Sequence, residues 1–350
     1  MTKIYGILAH PARHSLSPAI FNAAFVAEKI DARYEVFDEP LEVLPRGRKI
    51  SRLENSSPGY ICGLSISLPY KESILEFLDE MSEDVRAIGA CNTVKIERDE
   101  SYNSEKKINR KEGANNANNR CDAKNGKCNK KAIGFNTDWI GFMDALKEKV
   151  ATVKDLNVIV LGAGGAARAI VYGLVKGGAK VVVLNRTIEK AAKIAENFAD
   201  IRAEIETTDR GRADENDRVA ESDQANENTQ ANIQFGSLDE IDNFECDVLV
   251  QATSVGITNN SDAKNSNITN YKSSADFVSK EFLQKNKPLV FDIIYKPLIT
   301  PLLQIALDNG CKIITGDKML LNQAVKQFEI WFEKKAPKDI MAKELTKFIT

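Results

Sequence analysis

The segment from Asn157 to Thr187 carries the strongest chemical signal in the chain. A short apolar run, Asn157-Val-Ile-Val-Leu161, is followed by Gly162-Ala163-Gly164-Gly165-Ala166-Ala-Arg168 and an apolar helical stretch. A Gly177-Gly178 turn then leads to a second apolar run that ends in Asn185-Arg186-Thr187. Glycines at this spacing let backbone approach a pyrophosphate, which sits on the positive end of a helix expected from about Ala166. NAD-binding chains usually carry an acid at the tip of the second strand to hold the ribose 2′-hydroxyl. Here Asn185 and the cation Arg186 stand there, with Lys190 one turn further on. A guanidinium suits a 2′-phosphate that an acid would repel. One charge-assisted hydrogen bond contributes about 1.5–3 kcal/mol, roughly a ten- to hundredfold preference. Gly162, Ala163, Gly164, Gly165, Ala166, Asn185, Arg186, Thr187 and Lys190 are therefore expected to bind NADP(H).

Hydride transfer to a carbonyl also needs a proton donor. The only histidines are His10 and His14, near the N-terminus, so lysines, tyrosines and carboxylates come forward. Ser65-Ile-Ser67-Leu-Pro69-Tyr-Lys71 reads as a strand end followed by a helix with Pro69 at its first position. That would put the Lys71 ammonium in a first helical turn, where the dipole disfavours a cation; an ordinary surface lysine reads the same way. Gly134-Phe-Asn136-Thr-Asp138 precedes a helical apolar pattern, so Asp138 is at or near an N-cap. A carboxylate near Lys71 would orient its ammonium and accept a substrate hydroxyl, although capping alone also accounts for Asp138. Ser15 and Ser17 lie just ahead of a helix, with Ser17 before Pro18 as the expected N-cap. Hydroxyls beside a helix N-terminus suit an anion. Asn92, in Gly89-Ala-Cys91-Asn92-Thr93, places an amide at a strand start, where it also reads as a turn residue.

The surrounding chain alternates strand-like and helix-like segments. Ile4–Leu8, Tyr34–Phe37, Cys62–Leu68, Cys246–Ala252, Leu289–Ile294 and Lys312–Thr315 are short apolar runs, as buried strands require. The tail from Met319 is amphipathic, with Leu320, Leu321, Ala324, Phe328 and Trp331 on one face. Three polar stretches interrupt this pattern. Ser101–Lys131 holds eight Asn and nine Lys or Arg against three acids, and Thr207–Asn232 holds seven acids against three arginines. Thr258–Asp276 is rich in Asn and Ser. Such composition buries too little apolar surface to offset ordering, so all three read as flexible insertions.

The 350 residues suggest two domains. A net charge of −2 gives no argument for a nucleic-acid partner, and no apolar run reaches the length of a membrane span. The six cysteines are scattered without a CxxC pair, and Cys121 and Cys128 have no histidine nearby, so no metal site is expected. With no signal-peptide pattern at the start, the expected location is the cytoplasm.

Nine strings in order make the chain resemble the shikimate dehydrogenase family. They are His14-Ser-Leu-Ser-Pro18, Gly63-Leu-Ser-Ile-Ser-Leu-Pro-Tyr-Lys71, Gly89-Ala-Cys-Asn-Thr93, Asn136-Thr-Asp138 and Gly162-Ala-Gly-Gly-Ala-Ala-Arg168. Asn185-Arg-Thr187, Ala252-Thr-Ser254, Tyr295-x-Pro-x-x-Thr-Pro301 and Met319-Leu-x-x-Gln323 complete the set. The resemblance implies an α/β fold with an N-terminal substrate domain (1–137 plus 318–350) and a Rossmann-like NADP-binding domain (138–317), with the site in the cleft between them. It implies reversible NADPH-dependent reduction of 3-dehydroshikimate to shikimate, with Lys71 as general acid/base and Asp138 beside it. Ser15, Ser17 and Tyr295 would bind the substrate carboxylate, and Ser67, Asn92 and Gln323 its hydroxyls or carboxylate. Thr253 and Ser254 would border the cofactor. The partner is a small-molecule substrate, and the protein a monomer or homodimer. Four departures stand out: Phe21 where the family often has histidine, Ser65 where bacterial members frequently have asparagine and sometimes serine, Ser67 where threonine is common, and Lys318 where many have glycine. The alternatives are a quinate/shikimate dehydrogenase of the same family and a non-catalytic NADP-binding protein on this fold.

Overall fold

A computed structural model describes residues 2–12, 15–38, 60–98, 130–199, 233–256 and 273–349. His14, the insertion residues 101–129 and 258–272, all of 207–232, and Cys121 and Cys128 lie outside the described residues. By packing, the chain forms two units: Met1–Asn136 with Gln327–Pro337, and Thr137–Lys326 with Lys338–Thr350.

Unit 1 is built on a mixed sheet of β1 (Lys3–Leu8), β2 (Ala32–Phe37), β3 (Tyr60–Ile66), β4 (Glu80–Met81), β5 (Thr93–Arg98) and β6 (Lys130–Phe135), in spatial order β2-β1-β3-β5-β6-β4. β1 runs parallel to both β2 and β3, whereas β5 is antiparallel to β3 and β6. The chain leaves β1 to one side for β2 and crosses to the other for β3. The carboxyl ends of β1 and β3 therefore flank a switch point, where α/β sheets open a crevice. One layer of core lies over Ile4, Leu64, Ile66, Ile74, Phe77 and Val94. Elsewhere the unit packs an aromatic cluster in which Tyr5 meets Phe25, Trp331 and Phe332. Gly63 is required by this cluster, because a Cβ there would lie 2.5 Å from the Trp331 indole nitrogen.

Unit 2 is an all-parallel sheet of β7 (Asn157–Leu161), β8 (Lys180–Leu184), β9 (Gln234–Gly236), β10 (Val248–Gln251), β11 (Leu289–Asp292) and β12 (Ile313–Ile314), ordered β12-β11-β10-β7-β8-β9. This is the doubly wound nucleotide-binding order, with its switch point between β7 and β10. Full burial of β7, β8, β10 and β11 after their first residues explains their unbroken Val/Ile/Leu character. The core holds Ile159, Leu184, Leu249, Val290 and Leu303.

The described residues correct several expectations. Lys130 and Lys131 are not in an insertion but open β6. Ser273 to Asp276 form a capping box on a short 3-10 helix, Ser274–Phe277, so the third insertion ends earlier than its composition suggested. The helix expected to return to the first domain from residue 318 contributes Gln327–Pro337 to unit 1, and Lys338–Thr350 lies with unit 2. Among the described residues no helix is long and apolar enough to cross a membrane.

Candidate active site

In unit 1 the expected substrate residues gather at the carboxyl ends of β1 and β3. Helix Ser17–Ala27 starts with Leu16, not Ser17, at the N-cap position. Ser17 is its first residue, and its N–H donates to the Ser15 hydroxyl at 3.3 Å. Ser67 closes β3 by donating its N–H to the Leu8 carbonyl at 3.0 Å. The chain then turns over residues 68–72, with a cis Leu68–Pro69 peptide, before the 3-10 helix Ser73–Phe77. Pro69 is therefore not a first helical residue. Lys71 lies in the turn rather than in a first α-helical turn, and the dipole argument for it has no geometric basis. Its position is fixed otherwise: the Lys71 carbonyl accepts the Cys91 N–H at 2.7 Å, next to Asn92. Asn92 is 1% exposed, and its side-chain oxygen accepts the Thr93 hydroxyl at 2.8 Å. Asn136, at the end of β6, donates its amide to the Ala90 carbonyl at 2.9 Å.

Behind these residues runs a buried polar network that the sequence reading missed. The Tyr34 hydroxyl donates to Ser65 at 2.7 Å, and Ser65 donates to Gln327 Oε1 at 2.8 Å. Gln327 Nε2 donates to the Asn92 carbonyl at 3.2 Å. Burial pushes the Tyr34 phenol far above its usual range, partly opposed by its hydrogen bond with Ser65. A signal for Gln327 was present: it falls seven residues after Leu320, on the buried face of its helix, where a polar side chain needs a partner.

Unit 2 holds Asp138, Gln323, Tyr295 and the nucleotide loops. Asp138 is the first residue of helix Asp138–Lys147 and is 1% exposed, with Thr137 at the N-cap position. Gly141, one turn later, lets this helix meet helix Gly316–Phe332, since a Cβ there would lie 2.7 Å from the Gln323 nitrogen. Tyr295 is half-buried, and burial raises its phenol above the usual range.

The glycine loop follows β7 at the switch point. Gly162 has φ +114°, and a Cβ there would come within 3.0 Å of the Ala252 carbonyl carbon and oxygen. Glycine alone allows β7 and β10 to end so close together. A Cβ on exposed Gly164 would meet nothing, leaving open space before the helix that starts at Gly165, one residue earlier than Ala166. Ala163 and Ala166 are half-buried around it. After β10, buried Gln251 shapes the Thr253-Ser254 turn by accepting the Thr253 N–H at 2.5 Å and donating to the Val255 carbonyl at 3.1 Å. At the end of β8, the Asn185 amide donates to the Thr187 carbonyl at 2.9 Å. Arg186, Thr187 and Lys190 are exposed there, with residues 188–199 helical beyond them. An open glycine cradle, helix N–H groups and a cation beyond the second strand fit a dinucleotide bearing a 2′-phosphate. Among the described residues no three His, Cys, Asp or Glu side chains group as metal ligands.

Three family profiles match the chain: the shikimate dehydrogenase substrate binding domain over residues 7–94, shikimate/quinate 5-dehydrogenase over 144–228, and the shikimate 5′-dehydrogenase C-terminal domain over 318–346. The chain is 32% identical over 330 residues to a shikimate dehydrogenase (NADP+) of Methanocaldococcus jannaschii, covering 94% of this chain and 91% of that one. It superposes with TM-score 0.71 and 30% identity on a crystal structure of a shikimate dehydrogenase in complex with NADP+, covering 100% of this chain and 96% of the other. A Thermus thermophilus shikimate 5-dehydrogenase in complex with NADP(H) and shikimate gives TM-score 0.65 at 26% identity, covering 99% of this chain and 100% of that one.

Proposed function

The chain belongs to the shikimate dehydrogenase family, and from that premise we propose that it catalyses the reversible NADPH-dependent reduction of 3-dehydroshikimate to shikimate. It is an NADP-dependent oxidoreductase. Unit 1 serves as the substrate-binding domain and unit 2 as the NADP-binding domain. The observation that carries the reading is the bond from the Cys91 N–H to the Lys71 carbonyl, which sets a lysine beside buried Asn92 at the carboxyl end of β3.

NADPH supplies the hydride that reduces the C3 carbonyl carbon. Lys71, as an ammonium, donates a proton to the carbonyl oxygen and is left as the neutral amine, which takes the proton back in the oxidative direction. Asp138 is the partner that accepts a hydrogen bond from Lys71 and another from the neighbouring substrate hydroxyl. Only two peptide bonds join Asn136 and Thr137 on to Asp138, so the chain itself ties this carboxylate to the Ala90 segment that Asn136 holds. Ser15, Ser17 and Tyr295 offer hydroxyl protons to the substrate carboxylate. Ser67, Asn92 and Gln323 pair with the ring hydroxyls or the carboxylate, while Thr253 and Ser254 border the cofactor. Gly162 to Ala166 cradle the pyrophosphate, and Asn185, Arg186, Thr187 and Lys190 hold the adenosine ribose and its 2′-phosphate.

The test is reduction of NADP+ or NAD+ by purified protein with shikimate and, separately, quinate, alongside Lys71→Ala. The expected result is NADP+-linked turnover of shikimate, with kcat lower by about 10²–10⁴ in the variant, the range of a positioned proton donor. NADPH binding should be retained. Equal turnover in Lys71→Ala removes the lysine from the mechanism. Turnover of quinate or use of NAD+ moves the protein to the broader branch, and silence from protein that binds NADPH leaves a binding role.

A further inference from the structure

The Gln327 amide stands where three segments of unit 1 meet: the end of β3, the start of β5, and the last turns of helix Gly316–Phe332, from Gln327 on. It is 3% exposed, and both of its polar atoms are engaged. We propose that Gln327 is a positioning residue for substrate binding, whose single amide anchors Asn92 at one end and the hydroxyl pair Ser65–Tyr34 at the other. The inference rests on the reading of Asn92 as a substrate contact.

The orientation of the amide follows from its neighbours. The Asn92 carbonyl can only accept, and it already takes the Ile66 N–H at 2.7 Å. The Gln327 atom facing it at 3.2 Å must therefore be the NH2 group. Oε1 then faces Ser65 and can only accept, which commits the one Ser65 proton to Gln327. Ser65 is left as the acceptor for Tyr34, at 2.7 Å. One amide thus fixes both hydroxyl protons, and it does so from a buried site where an unpaired group is costly.

The surroundings hold Tyr34 in this role. Its ring stacks on Phe21 with centroids 4.7 Å apart and planes 7° from parallel. Its backbone is gripped by Asn22, which accepts the Tyr34 N–H at 2.9 Å and donates to the Tyr34 carbonyl at 3.2 Å.

Three variants test the inference by steady-state kinetics, with melting temperature as a control. Gln327→Met keeps the shape and removes the amide. It should raise the KM for shikimate about tenfold, the worth of one or two buried hydrogen bonds, with kcat and the KM for NADP+ within about twofold. Gln327→Glu adds a readout that a purely structural role would not move. Protonated, it copies the amide, accepting from Ser65 and donating to the Asn92 carbonyl; ionised, it loses the donor. Its KM for shikimate should approach the wild-type value at acid pH and climb as the glutamate ionises, while the KM of Gln327→Met stays raised throughout. Tyr34→Phe keeps the stack on Phe21 and removes the hydroxyl that donates to Ser65; it should raise the same KM by about threefold to tenfold.

The inference is overturned if Gln327→Met and Tyr34→Phe match the wild-type KM, even should Gln327→Glu differ, since that would be charge alone. It is also overturned if kcat and both KM values worsen together with a lowered melting temperature. A wild-type protein that neither turns over nor binds shikimate removes the reaction reading and this inference with it. Wild-type turnover with unchanged variants removes the inference alone.

Discussion

Arg186 is exposed at the end of β8, and its backbone neighbours are tied down by Asn185. Its guanidinium is the charge that should separate NADP+ from NAD+. Arg186→Asp is expected to raise the KM for NADP+ by roughly ten- to hundredfold and leave that for NAD+ within a few-fold. Because the site is open to solvent, the preference should shrink as salt is added. A variant with unchanged NADP+ KM at low salt would shift the selectivity to Lys190 or to the backbone. At this scale the sequence was informative wherever a residue's placement follows from its own type and neighbours, as with Gly162 at the end of β7 and Asn185 and Arg186 at the end of β8. It was uninformative where the partner is remote in the chain. Ser65 and Gln327 are 262 residues apart and meet at 2.8 Å, and nothing local to either one announces the other. Lys71 lies between these cases: its string suggests a first helical turn, whereas the residue lies in the turn 68–72 ahead of the 3-10 helix Ser73–Phe77.

Asp292 shows how an element end is held in unit 2. At the last residue of β11, its carboxylate accepts the Ile294 N–H at 3.0 Å and the Thr300 hydroxyl at 2.7 Å. Thr300 in turn caps helix Pro301–Asp308 by accepting the Leu303 N–H at 3.2 Å. One acid therefore sets the loop that carries Tyr295. Burial pushes Asp292 from 3.8 up to about 6, against the two hydrogen bonds that lower it. The folded protein then holds this proton more tightly than the unfolded chain, so between about pH 4 and 6 stability falls as pH rises. The loss is on the order of 3 kcal/mol at one pH unit per 1.36 kcal/mol. Asp292→Asn removes the titration, so its melting temperature relative to wild type should be higher at pH 7 than at pH 4. A difference that does not change between those pH values would show that the hydrogen bonds cancel burial, and a reversed one that they outweigh it. Strands such as β7, β8 and β11 were legible because burial on both faces leaves short β-branched runs. The 3-10 helix Ser274–Phe277 was not, because its polar composition hid a Ser273/Asp276 capping box that only spacing would have revealed.

For the whole molecule, the chain crosses between the two packing units at residues 136/137, 326/327 and 337/338. Helix Gly316–Phe332 therefore begins in one unit and ends in the other, and the C-terminal helix Lys338–Ile349 lies back in unit 2. An amphipathic tail pattern identifies a helix but not the unit that buries it, which is why the sequence assigned this segment to the first domain. The packing makes a specific prediction. Met341 is fully buried, and Met341→Ala should cost about 2–5 kcal/mol. Since Met341 packs in unit 2, that cost should fall on the transition that NADP+ raises. A shift of roughly 5–15 °C is expected for a unit of this size. Phe25, nearly fully buried in the aromatic cluster of unit 1, supplies the reciprocal case: Phe25→Ala should lower the other transition and spare the NADP+-sensitive one. Scanning calorimetry of both variants with and without NADP+ distinguishes the outcomes. If Met341→Ala lowers only the NADP+-insensitive transition, the tail belongs energetically to the substrate-binding unit despite its packing. If both variants lower a single transition equally, the two units unfold as one.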